Sequence, residues 1–358
     1  MIIDLHCDTL MKLLDVPAGG DLYQNCWNID IQKLQHSHYL MQDFAIFVDL
    51  KKHSDAYVRY TQMKHIFDDQ VQKYSKYIRQ IRNYDDLMLC KRDGVIGAML
   101  SIEEGGVLGG DMNKLQAAYN DGVRLITLTW NYPNELGYPN GVEGSDKGLT
   151  SRGWEFVEWM QGHGMIVDTS HLNDQGTREL LERTTRPIMA SHSNARHIKP
   201  HTRNLPDDLL RLYGEKGGII GLNFSRNFVS KEPITSLSEI NNPKMFPKLV
   251  TNEEYHAIQT GEAKRPTGDL TEPLIVSKVE DIAKHARYMA DLAGIETVAL
   301  GTDFDGVQPY LEIHDASEMD KLAHALKKEQ FSDDDIERIF ATNAIRFLRD
   351  TLCCQEKD

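Results

Sequence analysis

No run of about 18 apolar residues, the least that a membrane-crossing helix needs, occurs in the 358-residue chain. Basic charge is also short: 40 Lys and Arg face 54 Asp and Glu, a formal net charge of -14. Phosphate backbones and anionic membrane surfaces are recognised by clustered positive charge, so this balance argues against nucleic acid and against membrane as partners. Cysteines number five, Cys7, Cys26, Cys90, Cys353 and Cys354, with no Cys-x-x-Cys spacing. Adjacent Cys353 and Cys354 would make a strained pair, so a disulfide framework is not expected and a reducing, cytoplasmic setting is. The opening MIIDLHCDTLMKLL lacks a basic leader region and is broken by Asp4, His6 and Asp8, so it does not read as a signal peptide, and a mature chain starting at Met1 is expected. Repeats and low-complexity tracts are missing too. What remains is globular, 41% hydrophobic and 26% charged, enough to bury a sizeable core.

Short apolar runs alternate with helical patterns along the chain. Candidate strands are 2–6, 44–50, 95–102, 124–129, 165–168, 188–191, 218–223 and 298–301; candidate helices are 56–81, 151–163, 173–183, 207–215, 276–292, 317–327 and 333–349. Ser151 stands in a capping position, and Ser332 can cap the acidic start of the last helix. Stretches such as GGIIGLNF and TVALGTDFDG are continuously apolar, as strands of a parallel sheet buried on both faces must be. Eight such strands alternating with helices predict an α/β protein, a (β/α)8 TIM-type barrel. Residues 1–358 are expected to form one catalytic domain, with insertions at about 24–41 and 226–273 on the side where strands run into helices.

The strand ends carry the chemistry. The first ends in Asp4-Leu5-His6-Cys7-Asp8, where His6 and Asp8 point the same way from extended chain and make half of a divalent-metal site. The third ends in Ser101-Ile102-Glu103-Glu104, a carboxylate directly after an apolar run, where an unpaired charge would be very costly. The fifth ends in Asp168-Thr169-Ser170-His171, the sixth in Ala190-Ser191-His192, and the eighth in Gly301-Thr302-Asp303-Phe304-Asp305-Gly306. Such residues gathered at the C-terminal ends of barrel strands point to a metal site. The ligand count suggests two metals, with a Glu bridging through its two oxygens and a hydroxide between the ions. Three imidazoles and few carboxylates favour zinc over ferrous or manganous ions. Arg203 can grip a carboxylate through paired hydrogen bonds, or pair locally with Asp207. His197 and His201 flank it as candidates for substrate contact, whereas Trp154, Phe156 and Trp159 read as a packing face.

These motifs, with Arg203-Asn204-Leu205-Pro206-Asp207-Asp208, closely resemble the renal (membrane) dipeptidase family of zinc peptidases, in the family's order and over nearly the whole chain. The resemblance implies one zinc held by His6, Asp8 and Glu103, and a second held by Glu103, His171 and His192. It makes Arg203 the clamp on the substrate carboxylate and Asp303 the proton-transfer group, with Glu104 as the alternative to Glu103 and Asp305 as the alternative to Asp303. The family often has a His after Thr-Leu-Thr that is thought to steady the tetrahedral intermediate; here Trp130 stands there, followed by Asn131, whose amide is the substitute donor. The implied activity is hydrolysis of dipeptides with a free C-terminal carboxylate, tolerating a C-terminal D-residue, by attack of a metal-bridging hydroxide. Dimers are common in the family, which makes a homodimer the expected partner arrangement. Two rival readings stand beside this one. The first is an amidohydrolase-type cyclic amidase, lactonase or deaminase, whose bridge is often a modified Lys that has no counterpart here. The second is a metal-binding homologue without turnover.

Overall fold

The computed structural model describes residues 1–16, 20–142, 144–236, 269–307 and 310–352. Cys353, Cys354 and most of the expected insertion at 226–273 lie outside the described residues. Eleven described strands run β1 (Ile2–Asp4), β2 (Tyr39–Phe47), β3 (Ile78–Gln80), β4 (Ile96–Glu103), β5 (Val123–Thr127), β6 (Ile166–Asp168), β7 (Met189–Ala190), β8 (Ile219–Leu222), β9 (Ile234–Ser236), β10 (Asp269–Leu274) and β11 (Val298–Leu300). Eight of them close a parallel ring in the order β1, β2, β4, β5, β6, β7, β8, β11, with helices between strands: a (β/α)8 barrel. All eight overlap the apolar runs, although β2 begins at Tyr39, before the start expected at Phe44. β9 and β10 form a separate antiparallel pair.

Alternation along each strand sorts its side chains. Phe44, Ile46, Ile102, Ile126 and Val167 pack outward in the core shared with the helices. Ile3, Met41, Met99, Leu125, Ile166, Met189 and Ile219 pack inward on Phe347 and Leu348 of the last helix, which plugs the N-terminal end. Two residues further along β2, β4, β5 and β6, the inward positions become Asp43, Ser101, Thr127 and Asp168, joined pairwise by hydrogen bonds. The change from apolar to polar marks the functional end. Gly301 admits no side chain there, since a Cβ would fall 1.7 Å from the carbonyl oxygen of Ser191.

Several elements depart from the sequence reading. The helix expected over 56–81 stops at Lys73, and Ile78–Gln80 instead becomes β3, paired outside the ring with the first half of β4. The apolar residues past Lys73 therefore serve a sheet edge, not a helix face. Thr150, not Ser151, caps Ser151–Gly162, accepting from the Gly153 amide. Ser332 does cap the acidic helix start, through a reciprocal pair with Asp335. Helices Thr9–Asp15, Ile31–His36, Tyr84–Asp93 and Met112–Asn120 were not anticipated. The span read as an insertion at 24–41 holds one of them and the first residues of β2, and its Asn28 exchanges two hydrogen bonds with Asp305.

His285, on helix Val279–Ala293, is buried between two backbone groups: Nδ1 accepts from the Ala195 amide at 3.2 Å and Nε2 meets the Val229 carbonyl at 3.1 Å. Burial pulls its pKa down from the ordinary 6.5 to about 4. The unfolded chain therefore takes up this proton first, so the stabilisation is whole above about pH 6.5 and drains away as pH falls toward 4. Urea unfolding at pH 7.5 and pH 4.5 should show wild type losing on the order of 2 kcal/mol more than His285→Asn between the two.

Candidate active site

Five strand ends meet at the polar mouth and bring six side chains together. The chain leaving β1 presents His6 and Asp8, β4 ends in Glu103, His171 follows β6, His192 follows β7, and Asp303 follows β11. Glu103 is shared between two groups: one oxygen lies 3.3 Å from His6 Nε2, the other 3.0 Å from His171 Nε2 and 3.4 Å from His192 Nε2. His6 Nε2 is also 3.6 Å from Asp8 and 4.0 Å from Asp303. Its ring stacks on that of His192, centroids 3.9 Å apart. His171 (φ 70°) and Asp303 (φ 61°) both adopt left-handed backbone, an unfavourable conformation that turns their side chains inward. At Gly306 a Cβ would fall 1.9 Å from Asp8 Oδ2 and 2.7 Å from Asp303 Oδ1, so only glycine lets this loop close over the pair.

Hydrogen bonds behind the imidazoles decide where their protons sit. His171 Nδ1 faces Asn131 Oδ1 at 3.1 Å and donates to it. Asp168 accepts from Thr127 Oγ1, the Ser170 and Ser191 amides, and Ser191 Oγ. Since that hydroxyl donates to Asp168, it must accept from His192 Nδ1, 2.7 Å away. Both Nε2 atoms are then bare lone pairs, 3.2 Å apart and facing one carboxylate oxygen. His6 Nε2 and Asp8 Oδ1 are likewise buried without a hydrogen-bond partner. Lone pairs and carboxylates converging away from water repel one another unless a cation lies between them. The donor set therefore fits divalent metal: His6, Asp8 and Glu103 on one side, Glu103, His171 and His192 on the other.

Charge in the site is correspondingly displaced. Burial works against ionisation of Glu103, but His6 and the other two imidazoles outweigh it and hold its pKa well below the carboxylate range. Burial, joined by repulsion from Asp8 and Glu103 and opposed by the pull of His6 and the hydrogen bond from Asn223, raises Asp303 to about 7. Arg203 is buried; one nitrogen donates to Ser193 Oγ at 2.9 Å, while Nε and Nη2 have no partner, leaving an open fork for an anion.

A model of the membrane dipeptidase family, peptidase family M19, matches residues 1–357. The chain belongs to that family. It is 25% identical over 336 residues to dipeptidase tcpJ of Claviceps purpurea, covering 90% of this chain and 69% of that one. It is 28% identical over 271 residues to an uncharacterised Klebsiella pneumoniae protein encoded in the pqqA 5' region, covering 74% and 85%. Its fold matches a metallo-peptidase from Rhodobacter sphaeroides, solved with a phosphinate mimic of the dipeptide L-Ala-D-Ala, with a TM-score of 0.80, 21% identity, and 98% and 99% of the two chains covered. This membrane dipeptidase family member is thus a metallo-dipeptidase.

Among the remaining candidates, geometry separates the roles. Glu104, next to Glu103, turns away and accepts from the amides of Gly106 and Trp130 and from the side chain of Asn134; burial raises its pKa to about 7. Asp305 accepts from Thr9 Oγ1 and the Asn28 amide, tying loops together. His197 stacks on Tyr288 outside the cavity, and His201 Nδ1 accepts from the Arg203 amide. Trp154 lies under Arg183 and Trp159 stacks on His163, as a packing face does. Asn223 was not singled out in the sequence, though it ends the seventh expected strand. It is buried; the Ser225 amide fixes its Oδ1, and its Nδ2 donates to Asp303 Oδ2 at 2.9 Å. The two glutamates make a direct test. Glu103→Gln should lose divalent metal on dialysis, whereas Glu104→Gln should keep it and instead lose about 1–3 kcal/mol of stability, read by elemental analysis and thermal unfolding of the same samples.

Proposed function

We propose that this metallo-dipeptidase uses two zinc ions per chain, held by His6, Asp8, Glu103, His171 and His192, to hydrolyse dipeptides with a free C-terminal carboxylate, a D-residue being tolerated there. The observation that carries the reading is the division of Glu103, whose two oxygens serve imidazoles on opposite sides. Three imidazoles among five ligands favour zinc. Bound zinc would supply Lewis acidity toward the scissile carbonyl and a water acidified toward neutrality.

The protein groups do the rest. Arg203 fixes the substrate carboxylate through its open fork, which disfavours longer peptides and sets the scissile bond over Glu103. Asp303, 4.0 Å from His6 Nε2 and held by Asn223, is placed to take a proton from the attacking water and pass it to the leaving amine. Asn223 holds Asp303 Oδ2, leaving Oδ1 toward His6 for that transfer. Asn131 keeps His171 in its ligating tautomer, and its remaining N–H groups are the donor for the developing oxyanion. The cleft's solved relative with an L-Ala-D-Ala mimic supports the D-residue assignment. The reading further takes residues 1–358 as one catalytic domain, supported by one continuous barrel sheet, and places it in a reducing cytoplasm. Among the described residues no helix is long and apolar enough to cross a membrane.

Asp303→Asn should keep its metal and lower kcat by roughly 10²-fold or more. Asn223→Ala should also lower kcat, yet cost nothing further in the Asp303→Asn background, because it acts through that carboxylate. Steady-state kinetics of the four-membered cycle checks both. For the clamp, Arg203→Lys keeps the charge and loses the paired geometry, which should cost about 1.5–3 kcal/mol in kcat/KM on a dipeptide. Residual hydrolysis of the matching C-terminal amide should be unmoved, and equal losses on both would make Arg203 a loop support.

A further inference from the structure

Resting on the reading of Arg203 as the carboxylate clamp, we infer that the cavity wall formed by Phe47 and Trp130 selects dipeptides with an apolar N-terminal side chain. The cavity, about 350 Å³, has a charged floor and apolar sides. The charged groups that line it, Asp8, Glu103, His171 and Asp303, all belong to the site itself. The apolar residues of the sides are Met11, Phe47, Trp130, Val307 and Phe228, all half-buried, and Asn131, Ser225 and Asn227 line the cavity beside them.

Ring order distributes these side chains between the two ends of a substrate. Arg203 is anchored on Ser193, just past β7, and its guanidinium lies over the Phe228 ring at 5.8 Å. Phe228 therefore borders the C-terminal residue. β2 is four strands away from β7 in the ring of eight, directly across the mouth, and ends in Phe47. Trp130 meets Phe47 edge-on with centroids 4.9 Å apart, spanning the ground above β4. A dipeptide held by its carboxylate at β7, with its scissile bond over Glu103, points its first side chain at this wall.

The wall is rigid. The Trp130 amide donates to the buried carboxylate of Glu104 at 2.9 Å, and Tyr132 backs the indole at 5.5 Å. Lys51, the nearby base, lies 3.8 Å over the outer Tyr132 ring and is occupied there. An apolar side chain gains by leaving water against such a surface, while a charged one is stripped of water with nothing to pair it.

The test uses full-length, zinc-replete enzyme and two peptide series, Xaa-Ala with Xaa as Gly, Ala, Leu, Phe, Glu or Lys, and Ala-Xaa with the same residues. In the first, kcat/KM for Leu-Ala and Phe-Ala should exceed Gly-Ala by roughly 10-fold or more, with Glu-Ala and Lys-Ala below both. Trp130→Ala and Phe47→Ala should shrink the Leu-to-Gly ratio to within about 3-fold, and Phe47→Leu, still apolar, should retain most of it. The Ala-Xaa profile should keep its shape in all three. A flat wild-type Xaa-Ala profile, preference for Glu-Ala, or a change confined to Ala-Xaa overturns the inference while leaving the dipeptidase reading intact. Metal-replete protein that cleaves no member of either series sinks both. The wild-type profile decides the matter even for a variant that fails to fold.

Discussion

Electrostatic crowding at the mouth of the barrel is the constraint on which the other features depend. Asp8, Glu103 and Asp303 share a buried space with three imidazoles, two of which present bare nitrogens to each other. Left to itself such a cluster would take up protons or open to water. It is held instead by rigid surroundings: short parallel strands fix where each side chain leaves the sheet, and left-handed residues at 171 and 303 swing two of them inward. Divalent cations resolve the repulsion and turn it into affinity.

A second tier of polar groups makes the first tier possible. Asp168, saturated by four donors, orients Ser191, which orients His192. Asp4 plays a comparable part between β1 and β11, accepting from both the amide and the hydroxyl of Thr302. Removing a partner from such a buried network leaves a polar group unsatisfied at a cost of about 1–3 kcal/mol. The network sits directly above the apolar filling of the barrel, so one end of each strand secures the fold and the other the chemistry.

The ring strands and the side chains that converge at the mouth were legible in the sequence for one reason. A carboxylate or imidazole just past an unbroken apolar run is costly to bury without a partner, and five such endings recur in order. The choice between Glu103 and Glu104 was not decidable from composition, because both carboxylates are buried; only the turn at Glu104, with φ 141°, sends them apart. Asn223 escaped notice because a neutral amide after an apolar run carries no penalty that demands explanation. The short helices Thr9–Asp15 and Ile31–His36 were hidden for another reason: each spans at most two turns, too few for periodicity to show. β3 was absorbed into the preceding helix because Ile78 and Ile81 continue its spacing by coincidence.

Closure of the ring has a consequence for biogenesis. β1 pairs with β11, Asp4 lying beside Leu300, and the Asp8 amide donates to the Phe304 carbonyl. The first and last segments of the site are thus neighbours in space although almost the entire chain separates them. On the ribosome His6 and Asp8 emerge before the other site residues, and the site stays incomplete until the segment carrying Asp303 has been made. A nascent chain therefore cannot complete its site by half measures, and a truncated product ending before β11 retains a gap in the barrel wall with two edge strands uncovered.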